Sequence, residues 1–306
     1  MRKKFLFWFS GILILLYIGI SYIFSSMIIG TWHRGLEDPS VLGERYGEMK
    51  EVNFQTDDGL MLKGWLFENP NDSVDCGVIL THGHNNNRYS MRFWMPYFWV
   101  RGCDVMMYDH RAHGESEGKY GTFGVLESGD LLKAHELFRQ ITDLKNEEIG
   151  WVGASWGAAT VLQAGAQIDD LAFILADSPF KDLDAAAMER GERQFGSWIR
   201  VFTPMIYWLV EWRADFEVSE TSSLEKARDI QVPVLLIHSQ TDQATSSRQS
   251  VEIAAAMNPD ILTFHHTSWG SLHCADVQDF PDRYGWLIDE FLKEYEVKAF
   301  IIQSPH

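Results

Sequence analysis

The stretch Glu148-Ile149-Gly150-Trp151-Val152-Gly153-Ala154-Ser155-Trp156-Gly157-Ala158-Ala159 constrains the rest of the chain. Its centre, Gly153-x-Ser155-x-Gly157, is the pattern of a strand turning abruptly into a helix with a serine at the apex. So tight a turn would bring side chains at 153 and 157 into collision, and glycine removes them. The flanks fit: an apolar run from Ile149 to Val152 before the turn, and an alanine-rich helical segment from Ala158 to Ala166 after it. The new helix would present its free N–H groups and positive dipole end beside the serine hydroxyl. Glycine and serine are common in ordinary turns, so the motif weighs only with those flanks and with partners supplied elsewhere.

The surrounding pattern is strands alternating with helices. Strand-like runs fall at Glu51 to Thr56, Leu60 to Phe67, Cys76 to Thr81, Asp104 to Tyr108, Leu171 to Ala176, Val232 to Ile237 and Ile261 to Phe264. Asp57-Asp58-Gly59 joins the first two as a hairpin turn. Helical segments are read at Tyr89 to Arg101, Glu127 to Thr142 and Tyr284 to Tyr295. The alternation predicts a mostly parallel sheet with helices on both faces. From about 180 to 228 no strand is apparent. Trp198, Phe202, Tyr207, Trp208 and Trp212 stand there, either as a small helical subdomain packed on itself or as a lid over a pocket.

The N-terminus differs in kind. After Arg2-Lys3-Lys4, the uncharged run from Phe5 to Ile29 is longer than the roughly 20 apolar residues needed to cross a bilayer. It is too long for a signal-peptide core and has no clear Ala-x-Ala exit, so residues 1–30 are read as an uncleaved signal anchor; a cleaved, secreted form is the alternative. Basic residues before the run and Glu37 and Asp38 beyond it place the expected domain outside the cell membrane, single-pass. Residues 31–50 are read as a polar tether, and 51–296 as the globular domain. The formal net charge of -17 argues against nucleic acid as a partner, since its phosphates would be repelled. Cys76, Cys103 and Cys274 lack metal spacing and an even count, and are read as buried thiols, which weighs slightly against an oxidising exterior.

In a parallel α/β sheet, functional groups gather where strands end. There the chain places His82-Gly83-His84, the loop from Asp109 to Gly118, Ser155, Asp177, His238 to Asp242, and Ser271-Leu272-His273. The order Ser155, Asp242, His273 is the one this turn takes when it carries a catalytic triad. On His82-Gly83, Asp109-x-Arg111-x-His113-Gly114-x-Ser116, Gly153-x-Ser155-x-Gly157, Asp177-Ser178-Pro179-Phe180, Val232-Pro233 and His273, the chain resembles the α/β-hydrolases over roughly residues 50 to 295. Within them it is similar to the serine-aminopeptidase-like and Bem46-like esterase branch.

The resemblance implies an α/β-hydrolase fold with a helical cap. It implies Ser155 as nucleophile, His273 as general base and Asp242 as the acid that orients it. It implies backbone N–H groups of His84 and Trp156 as the oxyanion hole, with no cofactor and no metal. The implied partner is a small acyl substrate, a lipid-like one included; a peptidase, a thioesterase or a non-catalytic binding module are the alternatives. Asp177 is the reserve acid, and His265 and His266 are rivals to His273. His82, Arg111 and Glu117 are read as loop-holding residues. Ala112 and Leu272 stand where the family often has glycine, and His238-Ser239 where it often has His-Gly. Thr81-His82-Gly83-His84 also opens like a binuclear metal signature, but Asn86 and Asn87 fill the Asp and His positions and are poor ligands.

Overall fold

The structure is a computed structural model that describes residues 2–31, 33, 35–71 and 75–301. Eight strands form one sheet: β1 (Met49–Gln55), β2 (Met61–Phe67), β3 (Gly77–Thr81), β4 (Asp104–Tyr108), β5 (Ile149–Ala154), β6 (Phe173–Asp177), β7 (Val234–Ser239) and β8 (Leu262–Thr267). Their spatial order is β1-β2-β4-β3-β5-β6-β7-β8. β2 is antiparallel to β1 and β4; every other neighbouring pair is parallel. The expected mostly parallel sheet is therefore observed, and each expected strand lies within a few residues of its position.

The pleat sorts side chains to two faces. Val78, Leu80, Val105, Met107, Val152 and Leu175 pack towards Phe98 and the Pro281–Glu294 helix. Ile79, Met106, Trp151, Ile174 and Leu236 pack the other way, on the Val125–Thr142 and Trp156–Gly165 helices. Strands buried on both faces read as continuous apolar runs, which is why they were legible. The Arg248–Ala256 helix was not anticipated: among its nine residues only Gln249, Ser250 and Ile253 are buried, too few apolar positions to show a stripe.

After β3 the chain moves to one side of that strand to form β4, then to the other side to form β5. A crevice opens at such a switch, where neighbouring connections leave in opposite directions. The carboxyl ends of β3 and β5 hold Gly83 and Ser155, so close that a Cβ on Gly83 would sit 3.2 Å from the Ser155 Cβ.

Three findings change the expectations. Cys76 and Cys103 are not thiols but a disulfide. Each precedes the first residue of its strand, and the parallel register Gly77↔Asp104 sets them side by side, with Cα atoms 4.6 Å apart. Residues 31–50 do not hang as a loose tether, although positions 32 and 34 lie outside the described residues. Leu42 and Tyr46, four apart on the Ser40–Tyr46 helix, are buried in the core, and the Thr31 hydroxyl donates to the Ala112 carbonyl at 2.6 Å.

The third concerns the N-terminal helix, Arg2–Ile29, which does not stand apart. Helical segments between β6 and β7 form the expected cap, and its Thr203–Ala214 helix lies along the N-terminal one. Tyr17 stacks on Phe202 at 5.0 Å, Phe24 meets Phe195 edge-on, and Arg213 donates to the Ser25 and Ser26 hydroxyls at 2.8 Å. Ile29 is fully buried in a cluster with Phe123, Trp156 and Phe180.

Candidate active site

Ser155 follows β5 with φ 55° and ψ −111°, a positive-φ conformation that non-glycine residues enter only when their surroundings hold them there. Two backbone bonds hold it: the Ser155 N–H donates to Asp177 at 2.8 Å, and its carbonyl accepts from Ala159 at 3.0 Å. A Cβ on Gly153 would lie 2.3 Å from the Gly157 carbonyl oxygen, and one on Gly157 would lie 2.1 Å from that of Thr81. Backbone thus approaches backbone at both glycines, as the spacing predicted.

The loop after β8 brings His273 to the serine, with Nε2 2.7 Å from Ser155 Oγ. Its Nδ1 is 2.5 Å from Oδ2 of Asp242, in the turn after β7. The structure brings Ser155, His273 and Asp242 together; the rivals lie elsewhere. Asp177 accepts hydrogen bonds from the Tyr284 and Ser178 hydroxyls, both at 2.8 Å, and burial raises its pKa to about 6. His266 bonds Ser247, and His265 lies on the outermost strand, β8.

A fourth residue went unrecognised in the sequence. His238 Nε2 lies 3.0 Å from the same Asp242 oxygen and 3.2 Å from the Thr245 carbonyl oxygen. A carbonyl only accepts, so Nε2 carries the proton, and Nδ1 accepts from the Ser250 hydroxyl at 2.6 Å. The Ala244 and Thr245 amides donate to the other Asp242 oxygen at 2.8 and 3.0 Å. Burial alone would raise the Asp242 pKa, but the bonds from His238 and His273 outweigh it and hold the carboxyl well below its usual range.

Burial disfavours the His273 imidazolium, yet the Asp242 carboxylate against Nδ1 opposes burial and the pKa is raised above the ordinary value. Burial also pushes the Cys274 thiol up, so that thiol is uncharged at neutral pH. The Asp242 carboxylate is the charge that acts there.

The amides of His84 and Trp156 have no acceptor among the described residues. The His84 ring stacks on Trp156 at 5.0 Å and reaches back to the Gly30 carbonyl, 3.3 Å from Nε2. Burial lowers its pKa to about 4, so it is neutral at pH 7 and donates from Nε2. The loop is anchored at its far end. The Arg88 guanidinium pairs with Asp109 and with Glu115, and the Arg88 amide donates to Asp109 at 2.7 Å. His82 accepts the His110 amide at 3.0 Å, Arg111 pairs with Asp58 and Asp130, and Glu117 accepts the Met61 amide, so all three hold loops. Ala112 has φ 60°, which explains the family's glycine there.

The cavity over Ser155 is about 330 Å³, and its lining includes Glu37, Asn86, Ser90, Arg92, His273 and Gln278. The arrangement offers a hydroxyl at the start of a helix, an imidazole beside the hydroxyl, and a carboxylate beside the imidazole.

The family described as the alpha/beta hydrolase fold matches residues 78–204. The uncharacterized protein YqkD of Bacillus subtilis is 32% identical over 246 residues, 76% of this chain and 79% of its own. The esterase Pf2001 of Pyrococcus furiosus superposes with a TM-score of 0.70 at 27% identity, covering 87% of this chain and 98% of that one. An acylaminoacyl peptidase of Pyrococcus horikoshii shares the fold at 17% identity, with a TM-score of 0.60 over 89% of this chain and 45% of that one. The esterase likeness supports a hydrolase, and the chain belongs to the α/β-hydrolase fold family.

Proposed function

We propose that the chain is a serine hydrolase, carboxylesterase- or lipase-like, that cleaves an ester through an acyl-enzyme intermediate. The observation that carries this reading is the continuous relay from Ser155 Oγ to His273 Nε2 at 2.7 Å and from His273 Nδ1 to Asp242 at 2.5 Å. Ser155 Oγ bonds to the ester carbonyl carbon while its proton passes to His273 Nε2. The oxyanion so formed is held by the His84 and Trp156 amides. The carbon–oxygen bond to the alcohol then breaks, and the alcohol leaves with the proton from His273. Water repeats the sequence and releases the acid. Asp242 stays ionised throughout, fixing the His273 tautomer and stabilising its charged form. The esterase likeness favours an ester over a peptide bond.

The same proposal places the chain in the cell membrane. The Arg2–Ile29 helix is long and apolar enough to cross it, with basic residues at its start. The Cys76–Cys103 disulfide supports an extracytoplasmic domain, since such bonds persist in oxidising compartments.

A fluorophosphonate probe tests the chemistry. Wild type is expected to label, Ser155→Ala not at all, and His273→Ala at a rate lower by orders of magnitude. A folded wild type that never labels would overturn the hydrolase reading in favour of a binding module.

A further inference from the structure

A second cavity, of about 560 Å³, lies between the end of the N-terminal helix and the cap. Phe24, Met27 and Ile28 line it from the helix, and Ala187, Ile199 and Ile206 from the cap; Arg190 and Gln194 are exposed members of its wall. His84 lines this cavity and also the one over Ser155. The two therefore meet at the residue whose amide is proposed to hold the oxyanion. They differ in chemistry: the Ser155 cavity sets Glu37, Asn86 and Arg92 beside Phe93 and Trp94, and the other presents more apolar than polar surface. Neutral His84 divides a more polar chamber from a more apolar one.

The depth of the cap decides what fills the apolar chamber. A span beginning at Phe5 crosses about 30 Å of hydrocarbon in about 20 residues, ending near Phe24. Tyr17, which stacks on Phe202 and donates to the Val201 carbonyl at 3.1 Å, then lies roughly 10 Å below that boundary. The cap edge touching Tyr17 is thus placed within the outer leaflet. Its surface agrees: Trp198, Val201, Trp208 and Trp212 are 52%, 68%, 56% and 69% exposed, which suits tryptophan and valine at a lipid boundary. The nearby Arg200 is held in ion pairs with Asp184 and Glu192.

We propose that the cavity between the N-terminal helix and the cap holds the acyl chain of a bilayer lipid ester, so that the membrane helix is itself a wall of the substrate site. The chain enters from the leaflet beside Phe24 and Met27, and its carbonyl reaches Ser155 past His84. The polar chamber receives the alcohol portion. This rests on the serine-hydrolase and membrane reading above and adds the substrate class and a specificity-determining role for the helix.

The test uses the full chain in lipid vesicles with p-nitrophenyl butyrate and p-nitrophenyl palmitate, for wild type, Ser155→Ala, Met27→Trp and Ala187→Phe. Met27 is 53% exposed, so a larger side chain there narrows the cavity without entering the core. Ala187→Phe narrows it from the cap side. In each variant the palmitate-to-butyrate rate ratio is expected to fall by roughly tenfold or more, the loss of about two buried methylenes. An unchanged ratio in both variants, or an equal fall on both esters, would overturn the assignment. So would a wild type with Ser155-dependent turnover of butyrate and none of palmitate, which leaves the hydrolase reading intact. Turnover of neither ester that depends on Ser155 would remove the hydrolase reading, and this inference with it.

Discussion

Two imidazoles share one oxygen of Asp242, and that sharing determines what substitutions at the site do. In Asp242→Asn an amide replaces the carboxylate facing His273 Nδ1, which favours the wrong tautomer and leaves the imidazolium unsupported. Turnover is expected to fall about 10⁴-fold with the fold retained, as circular dichroism would check. In the proposed mechanism the base works only when His273 is neutral, and the pKa of His273 is raised. Activity is therefore lost as pH falls through that raised value, so the acid limb of kcat/KM is expected above about pH 6.5. A limb well below this would show that Asp242 does not act on His273 as described. At Gly157, where a Cβ would meet the Thr81 carbonyl oxygen at 2.1 Å, alanine is expected to destabilise by about 3 kcal/mol or more in denaturant unfolding. Ser155, Asp242 and His273 were legible because each follows a strand in a fixed order. His238 was not, because a histidine closing a buried strand carries no spacing of its own; its meaning comes from Ser250 on a helix that the apolar pattern did not reveal.

Among the elements, β3 and β4 carry the tie that the sequence concealed. Cysteine count argued for thiols; only the register of two parallel strands, with Cys76 and Cys103 one residue before each, shows the pairing. The sequence separation of 27 gives a chain-entropy stabilisation of about 3–4 kcal/mol. Cys76→Ser with Cys103→Ser is expected to lower Tm on the order of 10 °C, and a reducing agent to lower wild-type Tm similarly. An unchanged Tm in both would mean that the bond does not form. The cap was legible as a gap in the strand pattern. Its contact with the N-terminal helix was not, since stacking of Tyr17 on Phe202 joins residues far apart in sequence and leaves no periodic signal.

For the molecule as a whole, the N-terminal helix was readable from its length and its missing charges, whereas its incorporation into the domain depended on tertiary contacts at Ile29 and Gly30. With the basic start inside, a reporter such as alkaline phosphatase fused after His306 is expected to be active, since that enzyme needs an oxidising exterior. A fusion expressed at full length but inactive would reverse the orientation. The central claim is that the geometry around Ser155 makes it a nucleophile towards acyl carbon. Intact-mass spectrometry of the full chain, quenched in acid soon after mixing with an activated ester, tests it most directly. The account predicts a mass gain of one acyl group on the peptide containing Ser155, decaying in wild type and absent in Ser155→Ala. Ester turnover with no acyl adduct at Ser155, or an adduct that persists in Ser155→Ala, would contradict it.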